Sequence, residues 1–221
     1  MYADDIVIFS LSPEGLQNKL FSLESYCDDW GMKVNIKKTK VIIFNKAGRT
    51  IKHKFMYKNS ELECVPNYKY LGIYFTAFGT FSLPKNELYK KALKAFFKLR
   101  KDFLSLNSGI KTSINVVDHT IKPILLYGSE IWGIFNANNT KLKDTNNIQI
   151  NDCYKNYKGE TLHLIFCKYI LGLNKKSVNH ASLSELGRHP LHYDIVKSLL
   201  KYCYRLENLT TVFFIEGCLF M

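Results

Sequence analysis

The chain begins Met1-Tyr2-Ala3-Asp4-Asp5 and continues at once into the apolar run Ile6-Val7-Ile8-Phe9. The β-branched and aromatic residues of this run predict a strand from Ile6 to Ser10. Two adjacent carboxylates at the start of a strand can hold divalent cations at a turn of a sheet, because such cations prefer oxygen ligands. Asp4 and Asp5 are therefore the first candidates for a metal site.

A helix is predicted directly after this strand. Ser12-Pro13-Glu14 combines a serine N-cap, a proline at the first helical position and an acid in the first turn. Apolar residues then recur at helical spacing, and Gly31 ends the pattern as a C-terminal glycine commonly does. The apolar stripe consists of Leu16, Leu20, Leu23, Cys27 and Trp30.

Short strands are predicted beyond Gly31, and helices are predicted after residue 84. The strand candidates are Val41–Phe44, a hairpin of Lys52–Lys58 and Glu61–Val65 around Asn59-Ser60, and Tyr68–Phe75, broken by Gly72. Pro84 opens a helix, and nearly all of the chain from Ile110 onward has helical periodicity. The predicted fold class is therefore α+β, with a boundary near Phe81.

The chain is strongly basic, and its charge is concentrated. Its net charge is +12, and 47% of its residues are hydrophobic, which indicates a folded protein with a polyanionic partner. No acid occurs from Trp30 to Ser60, and a second basic block extends from Lys85 to Lys101 with Glu87 as its acid. The bases of the first block are Lys33, Lys37, Lys38, Lys40, Lys46, Arg49, Lys52, Lys54 and Lys58.

Membrane and secretory classes are not expected. The apolar runs are much shorter than a bilayer span, and no signal peptide pattern occurs at the start, so we expect an intracellular protein of the cytoplasm or nucleus with no membrane partner. The six cysteines form no Cys-x-x-Cys pair, which favours reduced thiols over a zinc knuckle. His163 and Cys167 share a helical face, but a zinc site there is disfavoured because no second pair has finger spacing.

Several motifs occur in an order that resembles the reverse transcriptases of non-LTR (LINE-type) retrotransposons. Tyr2-Ala3-Asp4-Asp5 resembles motif C of that family, the segment from Gly31 to Lys40 resembles motif D, and Tyr68-Lys69-Tyr70-Leu71-Gly72-Ile73 resembles motif E. The segment from Leu126 to Trp132 and the segment from Lys168 to Leu191 resemble regions beyond the polymerase core. The resemblance covers roughly residues 1–195.

This resemblance implies an RNA-directed DNA polymerase that uses magnesium, template RNA, primer DNA and deoxynucleoside triphosphates. Asp4 is implied as a direct metal ligand, with Asp5 shaping the site. Lys38 matches the lysine placed near the leaving pyrophosphate, and Lys40 is the alternative, because strand alternation permits either. Tyr70, Leu71 and Gly72 match the primer grip. Lys90, Lys94 and Lys98 lie on a basic helix that resembles the thumb, where they would contact duplex phosphates.

The resemblance also divides the chain and leaves its activity open. Residues 1–82 are predicted to be a partial palm, residues 83–109 a thumb-like basic helix, and residues 110–221 a helical C-terminal region. The family takes a further metal-binding aspartate from motif A, which lies upstream of motif C, so the chain by itself is expected to be inactive. The alternatives are a nucleic-acid-binding remnant without catalysis and a pseudogene product.

Overall fold

A computed structural model describes residues 4–47, 53–106, 109–133 and 157–209, without the side chains of residues 104–106 and 209. The chain divides into two compact units, unit 1 at Met1–Thr80 and unit 2 at Phe81–Met221. Unit 1 contains α1 (Pro13–Asp29), β1 (Lys40–Val41), β2 (Phe55–Tyr57), β3 (Ser60–Cys64), β4 (Asn67–Tyr70) and β5 (Ile73–Thr76). The described part of unit 2 contains α2 (Ser82–Leu106), α3 (Ile110–Leu126), α4 (Ser129–Trp132), α5 (Lys158–Ile170), α6 (Asn179–Glu185) and α7 (Leu191–Leu209).

Helix α1 begins and ends at the residues that its sequence predicts. The Ser12 hydroxyl accepts a hydrogen bond from the Gly15 N–H at 3.0 Å, and Pro13 occupies the first turn. Gly31 follows the helix with a φ of 62°, the left-handed conformation that glycine adopts at little cost. The helix buries Leu20 and Cys27.

The sheet of unit 1 packs against the buried face of α1. Strand β3 pairs in parallel with β1 and antiparallel with β2, in the order β1-β3-β2. The core contains Leu20, Val41, Phe55, Tyr57 and Leu62. The side chain of Gln17 bonds both to the N–H of Met56 at 2.9 Å and to its C=O at 2.8 Å, which satisfies backbone groups of β2.

The β2–β3 hairpin confirms the predicted turn near Asn59, but three strand predictions need correction. Residues 6–10 form no regular strand, since no described strand pairs with them. The predicted strand Val41–Phe44 is reduced to the two-residue strand β1. Tyr68–Phe75 is two antiparallel strands joined by a tight turn, because Leu71 and Gly72 have φ angles of 46° and 85°.

Unit 2 is helical, and its largest core lies among α2, α3 and α5. The basic helix α2 begins at Ser82, two residues before Pro84, and packs on α3 and α5 through its apolar face. The buried members of this core include Ala92, Phe96, Val117, Ile121, Leu125, Leu162 and Phe166. The ring of Phe96 meets the ring of Phe166 edge to face, with centroids 6.4 Å apart. The predicted division of the helical part near residue 109 stays a prediction.

A second core surrounds Trp132, the last residue of α4. The indole is fully buried, and its Nε1–H donates to the carbonyl of Tyr127 at 2.8 Å. The ring of Tyr157 packs on the indole at 5.5 Å between centroids, and the Tyr157 hydroxyl donates to the carbonyl of Leu125 at 2.8 Å. Ile195 of α7 completes this core. None of the helices in the described ranges has the length and hydropathy needed to cross a membrane.

Candidate functional site

The two aspartates of the opening motif lie exposed at the start of the described chain. Residues 6–12 connect Asp4 and Asp5 to α1, where the Lys19 ammonium donates to the carbonyl of Phe9 at 2.5 Å. Carboxylate oxygens are suitable ligands for magnesium. Among the described residues, however, no group of three or more His, Cys, Asp or Glu side chains could hold a metal ion. The pair therefore provides suitable but too few ligands for a two-metal site.

The motif D segment forms a turn that Asn35 organises. The carbonyl of Asn35 accepts hydrogen bonds from the N–H groups of Lys38 at 3.1 Å and Thr39 at 3.0 Å. Its side-chain oxygen also accepts from the Lys38 N–H at 3.2 Å, and the Thr39 hydroxyl donates to the Asn35 carbonyl at 3.0 Å. The backbone of Lys38 is therefore held in place while its side chain is exposed.

Tyr68 connects this turn to the motif E hairpin. Its hydroxyl donates to the carbonyl of Lys38 at 2.9 Å, and Tyr68 itself lies in β4, opposite Phe75 of β5. The motif D lysine and the motif E strand thus share a direct hydrogen bond across 30 positions of sequence. Tyr68 was part of the motif E pattern, but the sequence pattern did not reveal this contact.

The structure distinguishes Lys38 from Lys40, the two candidates for the motif D lysine between which strand alternation could not decide. Lys40 lies in β1 opposite Glu63 of β3, and its ammonium forms an ion pair with the Glu63 carboxylate at 2.5 Å. Lys38 lies in the Asn35 turn with an exposed side chain. This difference favours Lys38 as the lysine available to a phosphate, although its role in catalysis stays a prediction.

The three primer-grip candidates lie at the tip of the β4–β5 hairpin. Tyr70 ends β4 and is half-buried, whereas Leu71 and Gly72 form the exposed turn. Leu71 has a left-handed backbone, which costs a non-glycine residue roughly 1–2 kcal/mol. Glycine at this position would not carry that cost, so the leucine is a locally strained residue at the tip of the hairpin.

The basic helix α2 presents three of its lysines to solvent. Lys90, Lys94 and Lys98 are exposed at four-residue spacing, and Lys90 also pairs with Glu87 at 2.9 Å. Lys85, from the same basic block, is different because its ammonium lies 5.2 Å from the centre of the Trp132 ring. Burial lowers the pKa of Lys85 to about 8. The exposed basic stripe therefore begins after Lys85.

A cluster of charged residues in unit 2 was missed by the sequence analysis. Arg188 bonds to both carboxylate oxygens of Asp118, at 3.0 and 2.5 Å, and Lys122 pairs with Asp194 at 2.8 Å. The spacing of Asp118 and Lys122 was a possible signal, since residues four apart share a helical face. No motif indicated that Arg188 would join them from the segment before α7.

The predicted neighbours His163 and Cys167 are close together but poorly suited to a metal. Their side-chain Nε2 and Sγ atoms are 4.0 Å apart and both residues are buried. Burial lowers the pKa of His163 to about 4 and raises the pKa of Cys167 to about 11. Cysteine coordinates metals as the thiolate, so a thiol with this pKa is a weak ligand at neutral pH.

The carboxyl group of Glu160 gives a testable pH dependence. It accepts a hydrogen bond from the N–H of Leu191 at 2.7 Å, and burial raises its pKa to about 7. The folded state therefore keeps Glu160 protonated up to about pH 7, whereas the unfolded chain releases this proton near the ordinary glutamate pKa of about 4.5. The stability consequently falls as the pH rises from about 4.5 to about 7. Glu160→Gln keeps the acceptor and removes this loss. The variant should be more stable than the wild type at pH 8 by on the order of 2 kcal/mol, and nearly equal at pH 5.

Urea unfolding at the two pH values measures this difference. Exposed Glu185→Gln in the same unit is the control and should change stability little at either pH. His163 has the opposite effect on stability. Because its pKa is lowered in the folded state, the stability decreases as the pH is lowered below about 6.5. Its contribution is common to both proteins and cancels in the comparison. A Glu160→Gln protein that is less stable than the wild type at pH 8 would contradict the raised pKa of Glu160.

Comparison with known proteins finds one matching family and two similar transposon proteins. Residues 1–75 match the family described as reverse transcriptase (RNA-dependent DNA polymerase). A transposon-derived protein of Caenorhabditis elegans is 30% identical over 146 residues, which are 65% of this chain and 52% of that protein. A protein of Drosophila melanogaster named as an RNA-directed DNA polymerase from transposon BS is 30% identical over 178 residues, or 73% of this chain and 19% of that protein. No solved structure matches the chain.

The matched region contains the motifs whose geometry is described above. Residues 1–75 include the Asp4-Asp5 pair, the Asn35 turn with Lys38, and most of the β4–β5 hairpin. The chain spans about half the length of the first relative and about a fifth of the second. Unit 2 lies beyond the matched region of the family.

Proposed function

We propose that this chain is part of a reverse transcriptase from a non-LTR retrotransposon and supplies the catalytic carboxylates, the motif D lysine and the primer-gripping hairpin for RNA-templated DNA synthesis. The observation that carries the proposal is the hydrogen bond from Tyr68 to the Lys38 carbonyl, which joins two motifs of the matched region at 2.9 Å. That contact orients the Lys38 backbone relative to the β4–β5 hairpin. A fixed orientation of this kind is what an active site needs in order to join a primer end to a nucleotide.

The cofactor of this reaction would be magnesium, held in part by Asp4 and Asp5. Bound magnesium offsets negative charge on the reacting phosphate groups. Because the described residues offer no third carboxylate nearby, the remaining ligands have to come from outside them. The contribution of this chain is an exposed carboxylate pair that keeps its oxygen atoms accessible to an ion and to a nucleotide.

Lys38 would act on the pyrophosphate end of the incoming nucleotide. The Asn35 turn and the Tyr68 hydroxyl hold its backbone from two sides, so the freedom that remains lies in the side chain. An exposed ammonium can attract a triphosphate and donate a proton as pyrophosphate departs. Lys40 would instead stabilise the sheet through Glu63 and contribute to the positive potential around nucleic acid.

Two further elements would hold the template and primer. The tip formed by Tyr70, Leu71 and Gly72 presents backbone atoms with a glycine among them, which allows a nucleic acid strand to approach closely. The exposed lysines Lys90, Lys94 and Lys98 would contact duplex phosphates without reading the sequence. The partners are template RNA, primer DNA and deoxynucleoside triphosphates, and the proposed location is intracellular, in the cytoplasm or nucleus.

The second candidate is a nucleic-acid-binding remnant without catalysis; a pseudogene product with no function of its own is the other alternative. The observation that favours it is the incomplete ligand set around Asp4 and Asp5 within the described residues. Both candidates predict binding of an RNA–DNA duplex, whereas only the polymerase predicts that Asp4 and Lys38 affect nucleotide addition. The two candidates are therefore separated by activity and not by affinity.

Binding of the chain to an RNA–DNA duplex is expected to depend steeply on salt and little on sequence. If about five phosphates are neutralised, affinity should fall by roughly three decades between about 50 and 250 mM salt. Lys94→Ala should weaken duplex binding at low salt and reduce the slope by about one, because one phosphate contact is lost. Fluorescence anisotropy with a labelled duplex over a salt series measures both values.

The matched control for this experiment is Lys176→Ala, which removes an exposed lysine of unit 2 outside α2. Its affinity and salt slope should equal those of the wild type. A salt-independent affinity of the wild-type chain would show that the basic blocks do not bind phosphates. Equal losses in the Lys94 and Lys176 variants would show that general charge, and not the α2 stripe, determines binding.

A further inference from the structure

The outer face of α7 exposes large aromatic and aliphatic side chains. Tyr193, Leu200 and Tyr204 are 58%, 63% and 70% exposed, whereas Leu191 and Ile195 on the opposite face are buried in unit 2. Leu200 and Tyr204 follow Tyr193 by seven and eleven residues, so all three lie on one side of the helix. The helix therefore has an inner face that stabilises unit 2 and an outer face whose apolar groups contact solvent.

This outer face contains an open groove of about 540 Å³. Tyr193, Val196 and Leu200 provide the apolar part of its lining, and Lys197 and Lys201 provide ammonium groups. The volume lies in the range of sites that bind small molecules, although this groove is open to solvent along the helix. The groove thus combines flat apolar surface with positive charge.

The ring of Tyr193 is held in place by two imidazoles. The His192 ring stacks on it with centroids 4.4 Å apart, and the His189 ring meets it edge to face at 5.8 Å. His189 also lies 3.2 Å from the carboxylate of Asp194, which pairs with Lys122. An aromatic ring that is already oriented loses little conformational freedom when another flat ring stacks on it.

The charges around the groove favour an anionic ligand. Lys197 and Lys201 are exposed and follow Tyr193 at four-residue steps, so they lie beside the aromatic row. The acid in the groove lining is Asp194, and its charge is offset by the ion pair with Lys122. An interface with another protein would be expected to have few charged groups at its centre, which does not describe this groove.

We propose that the outer face of α7 binds single-stranded nucleic acid, with bases stacked on Tyr193 and Tyr204 and phosphates beside Lys197 and Lys201. Alternation of aromatic rings and basic side chains is the arrangement that binds an unpaired strand, because every base has a face that can stack. The two tyrosines are separated by about 16 Å along the helix, from a rise of about 1.5 Å per residue. The surface would hold an unpaired template or primer strand, and it requires neither Asp4, Lys38 nor the lysines of α2.

Fluorescence anisotropy of the full chain with labelled oligo(U) and oligo(dT) tests this proposal. Tyr193→Ala should weaken binding of at least one of the two strands by roughly tenfold, the loss expected from one stacked base. Tyr193→Phe keeps the ring and should bind within about twofold of the wild type. Tyr26→Ala removes a 51% exposed tyrosine from a helix of unit 1 and should bind like the wild type.

Binding of the same proteins to an RNA–DNA duplex separates this surface from the duplex site. Tyr193→Ala should leave duplex affinity unchanged, whereas Lys94→Ala should reduce duplex affinity and leave single-strand affinity nearly unchanged. Tighter binding of oligo(U) than of oligo(dT) by the wild-type chain would indicate that the surface holds the template strand, and the reverse would indicate the primer strand. Either result supports the proposal. Wild-type affinity of Tyr193→Ala for both single strands would overturn it.

Two other outcomes would also overturn the proposal. If Tyr193→Ala weakens duplex and single-strand binding equally, the groove is part of a general nucleic-acid surface and not a stacking site. If the wild-type chain sediments as a dimer and Tyr193→Ala as a monomer, with equal affinity for oligonucleotides, the face is an interface between copies of the chain. Circular dichroism of Tyr193→Ala and Tyr193→Phe establishes that all comparisons use folded protein.

Discussion

Asp4→Asn is expected to abolish primer extension in a chimaeric protein that joins this chain to the fingers and motif A of a related reverse transcriptase. The substitution keeps the size of the side chain and removes the negative charge that would hold a magnesium ion. The loss should be at least roughly a hundredfold to a thousandfold, the range for removing one preorganised charge-stabilising group from an active site. Single-turnover extension of a primer on an RNA template measures the rate of the chemical step.

Two controls accompany this experiment. Glu14→Gln removes an exposed carboxylate from the first turn of α1 and should leave extension unchanged. The 221-residue chain without the added segment should not extend the primer, because its described residues provide no complete set of metal ligands. Extension by that chain, lost in Asp4→Asn, would show that another of its carboxylates completes the site. Normal extension by the Asp4→Asn chimaera would remove Asp4 from the metal site.

The parts of unit 1 that could be predicted from the sequence are those with short-range signals. Helix α1 follows from a serine cap, a proline and a terminal glycine, all within one or two turns of its ends. The β2–β3 hairpin follows from its turn residues. The strand predicted at residues 6–10 was wrong because strand formation requires a partner, and apolar composition does not supply one.

Turn chemistry explains another error. A glycine inside an apolar pattern suggested one interrupted strand from Tyr68 to Phe75, but Leu71 also adopts a left-handed backbone, and the two residues reverse the chain. Such a conformation is rare for leucine, so propensity argues against the turn that the structure contains. Local preference was overridden here by the pairing of β4 with β5, which the residues at the turn do not reveal.

The candidate site was predictable as a set of motifs but not as a set of contacts. The order of the motifs identified Lys38 and Lys40 together, and the distinction between them depends on Glu63, which lies 23 positions beyond Lys40. Lys85 appeared to continue the basic stripe of α2, although its ammonium lies over Trp132 of α4. Long-range partners decide which basic residues face solvent, and periodicity within one helix does not contain that information.

Trp132→Ala should be the most destabilising of the substitutions considered for unit 2. The indole is fully buried, packs on Tyr157 and donates to the Tyr127 carbonyl, so alanine would leave a cavity and remove a buried hydrogen bond. The expected loss is about 3–5 kcal/mol of unfolding free energy. Small domains have total stabilities of roughly 5–15 kcal/mol, so a substantial fraction of unit 2 would be unfolded under mild denaturing conditions.

The second tryptophan of the chain is the matched control for this prediction. Trp30 is 70% exposed beyond the C-terminal end of α1, and Trp30→Ala should cost about 0.5 kcal/mol or less. Trp132→Phe should give an intermediate loss of about 1–2 kcal/mol, because it keeps much of the ring but removes the N–H donor. Urea unfolding followed by far-UV circular dichroism compares all three variants without depending on indole fluorescence. Equal losses for Trp30→Ala and Trp132→Ala would contradict the burial of Trp132, and with it the packing of α4 and α7 that supports the groove on α7.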